Sequence, residues 1–539
     1  MVMDTKILSI MKAKVFKNYI HIVYGLLLCF FIVSCKKSDE LGTAPRIFRP
    51  VIKGDLTATA NYIEVAWQPI KEAVSYTLEV SRDTFKTIDV SINIDSTHAL
   101  VEELKWDQLY QLQVRANTAD TARNSKFGFL GSIKTPKFPT ILKPSTINDV
   151  TETSALMKWT NSGAEVTEIK VYIEPERTLL KTIVLNAQDR TNEYKIVSGL
   201  TPGTTYFLEL YSNTTLRGYN NYTTKAPFSG EVIDLRDILD KPSVLQDTLT
   251  KIPSGSMVIL KKGLTYTINA GINLAKTVTI ISGDDLLVNE PATILLASNF
   301  NFSAGSTIDS ISFVNVHLKG TDPASKYVFN TTNGAMIDKI KFDNCTAEMF
   351  RGFVRLQGGT TTINNFLITN SIIDSIGDYG VLNVDNASCK IENMIIKNST
   401  IARSNFLIKS SKNTNGSSSI LIDACTFYKA PSGNTILVDY NTINVTNGVT
   451  ISNCIFSIGK NNSGNTSPKG IRVGTSTIIN TSGNYSTSDY VNSGNAIPSI
   501  TAYTRPSTDL FSNPLAGDFT IKDMGFPGKS TAGDPRWRP

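Results

Sequence analysis

The chain has 539 residues, and its 53 lysines and arginines against 47 aspartates and glutamates give a formal net charge of only +6. So small an excess over this length does not suggest a nucleic-acid partner. Charged residues make up 19% of the chain and there are 35 glycines, which favours a β-rich exported protein over a helical one. The length suggests about three domains.

The N-terminus combines four lysines with an almost unbroken apolar run, Ile20–Val33. This run is shorter than the roughly 20 residues that span a membrane, so residues 1–34 are predicted to be a signal peptide rather than a transmembrane anchor. The peptide ends at Ser34-Cys35. This ending resembles the lipobox of bacterial lipoproteins, in which the cysteine thiol carries the lipid, and Cys35 is therefore the predicted attachment residue.

Residues 35–44 form the predicted tether, which begins with the charged stretch Lys36–Glu40. That stretch is similar to the signal that sends lipoproteins of Bacteroides-type Gram-negative bacteria across the outer membrane to the cell surface. The resemblance implies a lipid-anchored outer-membrane protein that faces outward. Residence on the inner leaflet is the alternative.

Four cysteines, Cys345, Cys389, Cys425 and Cys454, follow in the second half of the chain. They show neither CxxC spacing nor a suitable spacing to histidine, so no zinc site is predicted. The three histidines suggest no catalytic triad and no metal site either. We therefore expect no metal and no cofactor.

Residues 45–136 alternate apolar and polar positions in short runs separated by turns, which is typical of an antiparallel sandwich. Trp67 lies in an early run, and Leu104 precedes Tyr110 by six residues. This pattern resembles the fibronectin type III module, in which a tryptophan fills the core and a tyrosine closes a corner of the fold. One such module is predicted here.

Residues 140–227 repeat the pattern, with Trp159 in an early run and Tyr206 at the end of a Leu-Thr-Pro-Gly-Thr-Thr-Tyr segment. This segment is an even closer match to the corner of a fibronectin type III module, and proline-containing linkers separate the units. Such modules serve as spacers or interaction surfaces, and their tryptophans are expected in the core. Trp106 is the one aromatic residue that we consider for stacking on a sugar.

From about Ser310 onward, short apolar runs recur at intervals of just under 30 residues, the length of one coil of a large parallel β-helix. Five runs end in an asparagine, and these are Asn315, Asn344, Asn370, Asn398 and Asn453. Another run ends in Ala424, which interrupts the series. Asparagines stacked at one corner can bond along the ladder and pair backbone groups of the turn. We therefore expect Asn370 and Asn398 to be buried between their neighbours.

After each corner, alternate positions are small and then apolar, which places them inside the coil. Cys345, Cys425 and Cys454 occupy the first of these positions. They are predicted to be small buried residues and not disulfides or reactive thiols. A further apolar run completes each repeat, so three faces per coil are predicted.

The repeat and its entry, which begins near Val232, resemble the pectate-lyase-like superfamily of right-handed parallel β-helices. The resemblance covers residues 230–539 and predicts an all-β chain of two fibronectin type III-like sandwiches followed by this solenoid. The C-terminal stretch is similar to the close of Bacteroides-type surface lipoproteins with the same modules. Such proteins accompany plant-polysaccharide, especially pectin, utilisation systems, so the resemblance implies a polysaccharide partner and neighbouring glycan-uptake proteins.

A lyase on this scaffold needs carboxylates that hold calcium, a base and a stabilising positive charge. No compact acid cluster is predicted, and no catalytic residue is assigned. Strand alignment instead places Arg355 beside Asn383, and Ile408 or Lys409 follows in the next coil. The predicted glycan-binding residues share this polar stripe, and they are Arg351, Arg355, Asn383 and Lys409.

The sequence thus predicts a surface lipoprotein that binds or displays polysaccharide, of an acidic or pectic kind, without catalysis. A divergent lyase that acts on pectate-like uronates, with calcium as its cofactor, is the alternative. A structural spacer of the cell envelope is a third hypothesis.

Overall fold

The computed structural model describes residues 45–228, 230–412 and 414–539. The predicted signal peptide, the tether and Cys35 lie outside the described residues. The chain divides into two compact units after Thr140. Within the described ranges, no helix combines the length and the apolar character needed to cross a membrane.

The first unit contains an antiparallel β-sandwich. Its strands are β1 (Thr57–Thr59), β2 (Tyr62–Ala66), β3 (Ser75–Ser81), β4 (Val90–Ile94), β5 (His98–Val101), β6 (Leu109–Asn117) and β7 (Gly128–Lys134). One sheet has the order β1-β2-β5 and the other β4-β3-β6-β7. Trp67 is fully buried in the core, and the Tyr110 hydroxyl accepts a 2.9 Å hydrogen bond from the Lys105 backbone N–H. Trp106 packs edge to face against Phe138, with ring centres 5.2 Å apart.

A second sandwich opens the other unit. It comprises β8 (Ser154–Lys158), β9 (Glu168–Ile173), β10 (Thr178–Val184), α1 (Ala187–Asn192), β11 (Tyr194–Ser198), β12 (Thr205–Ser212) and β13 (Thr215–Thr223). Its sheets have the orders β11-β8 and β10-β9-β12-β13. Trp159 is fully buried, and the Tyr206 hydroxyl accepts a 2.7 Å hydrogen bond from the Thr201 N–H. A core tryptophan and a tyrosine corner therefore recur in both sandwiches.

A solenoid of short parallel strands follows in the same unit. Its earlier strands are β14 (Val232–Asp234), β15 (Ser256–Leu260), β16 (Thr265–Ile268), β17 (Ile272–Leu274), β18 (Val278–Ser282), β19 (Ala292–Leu296), β20 (Phe300–Phe302), β21 (Ser306–Val314), β22 (Val316–Gly320), β23 (Tyr327–Thr331), β24 (Ala335–Asp343), β25 (Thr346–Phe350), β26 (Gly352–Leu356) and β27 (Thr361–Thr369). Helix α2 (Val244–Leu249) lies between β14 and β15, and its Leu245 and Leu249 join the solenoid core.

The later coils have shorter strands. They are β28 (Ile372–Ile376), β29 (Leu382–Val384), β30 (Lys390–Lys397), β31 (Thr400–Ala402), β32 (Ile408–Lys409), β33 (Ser419–Asp423), β34 (Thr426–Tyr428), β35 (Ile436–Asp439), β36 (Val449–Ser452), β37 (Ile455–Phe456), β38 (Lys469–Arg472), β39 (Ile479–Ser482), β40 (Asn484–Ser486) and β41 (Ile500–Ala502).

From β15 to β40, each strand pairs in parallel with the strand three positions later in the chain. The coils therefore present three faces, as the repeat predicted. The first face runs from β14 and β15 to β39, the second from β16 to β40 and β41, and the third from β17 to β38. Inward side chains form one continuous apolar core. Cys345, Cys425 and Cys454 are free and buried within it.

The C-terminal stretch packs on the outside of the second face. It contains α3 (Ser507–Leu510), β42 (Phe511–Asn513) and β43 (Asp518–Ile521). Its apolar side chains form a small separate core with Tyr428 and Ile455 of the second face. Short 3₁₀ helices occur at Thr121–Arg123, Ile147–Asp149, Pro514–Ala516 and Pro535–Trp537.

Candidate functional site

Successive coils turn from the first to the second face through a residue with a positive backbone φ. The predicted asparagines occupy this position with φ between 50° and 53°, and they are Asn315, Asn344, Asn370, Asn398 and Asn453. Ala424 and Gly483 take the same place in two further coils. Asparagine suits this position because it adopts the left-handed conformation at lower cost than most other side chains. We call this set of residues the asparagine corner.

The asparagine corner is more exposed than predicted. Asn398 donates to Asn370 Oδ1 at 3.2 Å, and Asn344 donates to Asn315 Oδ1 at the same distance. Asn344 and Asn370 are nevertheless exposed and Asn398 is only half-buried, so the expected burial of Asn370 and Asn398 between their neighbours is wrong. The turn directs the following residue inward instead, and Cys345 is buried for this reason.

The predicted polar stripe lies as one aligned row on the third face. Arg355 of β26 pairs with Asn383 of β29, and Asn383 pairs with Lys409 of β32. Asp439 and Arg472 continue the row in the next two coils. Lys409, rather than the residue before it, therefore follows Asn383.

Arg355 is already engaged by other residues of the protein. Its Nη2 and Nε lie 2.5 and 3.0 Å from a carboxylate oxygen of Asp385, and its guanidinium lies 3.9 Å from the ring centre of Tyr379. Lys412 contacts the other oxygen of Asp385 at 2.7 Å. Burial acts to raise the pKa of Asp385, but its hydrogen bonds with Lys412 and Arg355 outweigh burial and lower this pKa.

The next two residues of the row differ in exposure. Asn383 is buried, with only 5% of its surface accessible. Lys409 is exposed, lies 5.8 Å from the ring centre of Phe406, and forms no ion pair with a residue that the structure describes. Within the row, Lys409 is thus accessible to a ligand, whereas Asn383 is not.

Arg351 lies beside the row and not in it. Its guanidinium lies 4.8 Å from the Tyr379 ring centre, and its Nε is 3.7 Å from Asp378. The Tyr379 ring therefore contacts both Arg351 and Arg355, and it joins the two predicted cations into one cluster.

A second corner, between the second and third faces, also uses the left-handed conformation but without asparagine. Successive coils place Met349, Ser375, Arg403 and Lys429 there, with φ between 49° and 67°. For side chains of this kind the conformation costs roughly 1–2 kcal/mol per residue. Strained positions concentrate at functional sites, which makes this set of residues, the basic corner, a candidate site.

A groove with a volume of about 630 Å³ follows the basic corner across several coils. Its walls combine apolar side chains with three cations, and the residues that matter most are Met349, Arg403, Lys429, Ile458 and Lys460. A volume of this size is typical of small-ligand sites. Neither the groove nor any of its three cations was predicted from the sequence.

The charge of Arg403 is balanced within the protein. Its guanidinium binds the Asp374 carboxylate through two nitrogens, and its Nη1 donates to the Leu515 carbonyl at 3.3 Å. Lys429, by contrast, forms no ion pair in the described ranges, and its Nζ lies 5.6 Å from the ring centre of Tyr428. The positive charge of Lys429 is therefore available to a ligand.

Lys460 reaches along the groove. Its Nζ donates to Asn405 Oδ1 at 2.7 Å and to the Ile376 carbonyl at 3.4 Å. Burial lowers the pKa of Lys460, and the charge of Asp378 opposes this shift. An anion bound near this amine would be attracted strongly, because partial burial weakens the screening by water.

Together these residues can bind an anion that also has an apolar surface. Lys429 and Lys460 supply positive charge, and the half-buried side chains of Met349 and Ile458 supply apolar surface. In the part of the chain that the structure describes, no three or more His, Cys, Asp or Glu side chains form a group suited to a metal ion.

One sequence signal could have revealed the basic corner. Each of its residues follows a residue of the asparagine corner by five positions, as Arg403 follows Asn398 and Lys429 follows Ala424. The basic corner has no residue type in common, so a search for a recurring residue finds only the asparagine corner.

Known family models match the second sandwich and the solenoid region. A model of the fibronectin type III domain matches residues 142–228, which contain the second sandwich. Two models described as domains of unknown function, DUF4957 and DUF5123, match residues 264–404 and 420–537 of the solenoid region. The second sandwich is therefore a fibronectin type III domain that precedes a β-solenoid.

Solved structures with similarity to the chain contain fibronectin type III arrays. The chicken CNTN1 FN1-FN3 domains have 11% identity and a TM-score of 0.15, over 34% of this chain and 70% of that chain. A two-domain fibronectin type III segment of chicken tenascin has 16% identity and a TM-score of 0.15, over 33% and 99%. The central fibronectin III array of RIM-binding protein has 16% identity and a TM-score of 0.13, over 35% and 71%. No curated protein gave a significant match.

Proposed function

We propose that this protein is a cell-surface lipoprotein that binds acidic polysaccharide without cleaving it. A fibronectin type III domain followed by a β-solenoid is compatible with a surface protein associated with carbohydrate. The proposal includes a solenoid of the pectate-lyase-like, right-handed kind. It also includes a role beside other glycan-uptake proteins in the use of plant, especially pectic, glycans.

The observation that carries the proposal is the pair of lysines in the groove. Arg355 and Arg403 are neutralised by aspartates, whereas no described carboxylate pairs with Lys429 or Lys460. A uronate carboxylate would supply the missing negative charge, and its sugar ring would cover the apolar wall of the groove. The two lysines are thus the main polysaccharide contacts in this proposal.

The residues predicted from the sequence take secondary roles. Arg351 and Lys409 are accessible and would contact a chain that extends beyond the groove. Arg355 and Asn383 are mostly buried, so they would shape the neighbouring surface without direct contact.

The membrane anchor has a direct test. Cys35→Ala should abolish metabolic labelling with a fatty acid and release the protein from the membrane, because the thioether lipid needs this thiol. Ser38→Ala, a change within the tether, is the matched control and should keep the label. Label that persists in Cys35→Ala would reject the lipoprotein assignment.

The groove is tested by affinity electrophoresis of the purified mature chain in gels with pectic or neutral glycans. Lys429→Ala and Lys460→Ala should each weaken retention by acidic glycan about fivefold, because one partly exposed charge contributes about 1 kcal/mol. The double substitution should weaken it further, and high salt should act in the same direction. Lys251→Ala, an exposed lysine after α2, is the matched control and should leave retention unchanged.

The same samples report on catalysis through absorbance near the unsaturated-uronide band. If the unmodified chain cleaves the glycan and one of these substitutions abolishes the cleavage, the protein is a lyase and the proposal of binding without cleavage is wrong. If neither high salt nor the two lysine substitutions change retention, the glycan contacts another part of the protein.

A further inference from the structure

We infer that Cys425 and Cys454, which are free thiols in the structure, form a disulfide bond between two neighbouring coils when the chain folds under oxidising conditions, contrary to the expectation from the sequence. The inference rests on the proposed function in one respect, since the exported location supplies the oxidising compartment in which the bond forms. Whether the fold permits the bond is a separate question, which depends on the positions of the two cysteines alone.

Register brings these two cysteines together. Each directly follows the asparagine corner of its coil, and the residues after them, Thr426 and Ile455, pair in parallel. In-register Cα atoms of adjacent strands lie about 4.8 Å apart, within the range of about 4.4–6.8 Å that a disulfide spans. Both cysteine side chains point into the core, and neither has accessible surface.

The other described cysteines have no such neighbour. Cys345 lies in the same column, but Ser371 and Ser399 occupy the two coils between it and Cys425. Cys389 lies beyond the third face, where its Sγ is 3.4 Å from the Gly359 carbonyl. Among the cysteines that the structure describes, one pairing is therefore favoured.

Only weak bonds hold the two thiols in their present positions. Cys425 Sγ donates to the Asp423 carbonyl at 3.3 Å, and Cys454 Sγ donates to the Ser452 carbonyl at 3.2 Å. Burial, and after it the Cys454 side chain, raise the pKa of Cys425, so the folded thiol is a poor nucleophile. The bond must therefore form before these coils close, during folding outside the cytoplasm.

The oxidant is a protein or small-molecule disulfide. One cysteine thiolate attacks it, displaces one thiol and forms a mixed disulfide. The second cysteine thiolate then attacks this intermediate and displaces the other thiol. The cysteine pair loses two protons and two electrons, and the oxidant is reduced to two thiols.

The test uses the mature chain with Cys35→Ala, so that the lipid site adds no thiol. The chain is unfolded, reduced, refolded with a mixture of oxidised and reduced glutathione, and then alkylated in denaturant. Intact mass should show half as many alkylated cysteines as in a fully reduced sample. Peptide mapping should find Cys425 linked to Cys454.

Variants and a second source of protein make the result decisive. Cys345→Ser and Cys389→Ser should keep the link, whereas Cys425→Ala should remove it. A refolded chain that melts cooperatively but has all four thiols free, or a link that contains Cys345 or Cys389, would overturn the inference. A link after refolding, with free thiols in protein taken from the bacterial envelope, would count against the exported location and not against the pairing.

Discussion

The asparagine corner and the basic corner belong to the same coils, yet they use one backbone conformation differently. At the asparagine corner, side chains such as Asn398 tolerate positive φ and bond to the neighbouring coil. At the basic corner, Met349, Arg403 and Lys429 adopt the same conformation without that advantage and line a groove. The difference indicates that the first corner is suited to coil stability and the second to contact with a ligand.

A row of buried hydroxyls supports the asparagine corner from inside. Ser399 Oγ accepts a 3.1 Å hydrogen bond from the Ser371 N–H, and Ser371 Oγ accepts one of 3.0 Å from the Cys345 N–H. Neighbouring coils are therefore joined here by side chains as well as by strand pairing.

Removal of one hydroxyl should have the largest effect on stability. Ser399→Ala leaves the buried Ser371 N–H without an acceptor, which should lower the free energy of unfolding by about 1–3 kcal/mol. Urea denaturation measures the change. Ser476→Ala, at an exposed position, is the control, and an equal loss in both variants would contradict the structural role of this row.

The two corners should respond differently to the same new side chain. Asn398→Leu should cost about 1–2 kcal/mol, because leucine is strained at positive φ and cannot bond to Asn370. Lys429→Leu should cost little, because lysine already carries that strain. Thermal and urea unfolding of both variants provide the comparison, with Asn480→Leu on an exposed, extended strand as the control. Equal costs at the two corners would remove the distinction between them.

An asparagine placed at the basic corner should separate stability from binding. Lys429→Asn should raise the free energy of unfolding by up to about 1 kcal/mol, since asparagine relieves the strain at φ 49°. The same variant should bind acidic glycan more weakly. Unfolding curves and affinity electrophoresis of one preparation test both statements, and a variant that is less stable yet fully retained would refute them.

The smallest effect should be a dependence of stability on pH. The native pKa of Lys460 lies below its ordinary value of 10.5, so the unfolded chain binds more protons between the two values. The contribution of Lys460 to stability therefore rises with pH across that window. Lys460→Met should reduce this rise, as measured by urea unfolding from about pH 8 to about pH 10.5. Lys251→Met is the control, and an unchanged slope in Lys460→Met would contradict the lowered pKa.

Local sequence patterns were sufficient for much of the fold. Tyr110 and Tyr206 follow short motifs that predict the corner tyrosine of a fibronectin type III module, and each hydroxyl accepts a hydrogen bond from a nearby backbone N–H. The repeat likewise predicted three faces and the neighbours Arg355 and Asn383, because strand register follows directly from the repeat length. The expected burial of Asn370 was wrong because the spacing of a turn does not specify which of its side chains faces water.

The sequence by itself determined the order of the modules, the asparagine corner and the row that contains Arg355. Only the tertiary structure decided that Arg355 is neutralised by Asp385, 30 residues away, and that Lys429 and Lys460 share a groove. A repeat specifies which residues recur on each face. Whether a charge is free, however, depends on distances of a few ångströms between side chains of different coils, and these are established only when the coils pack together.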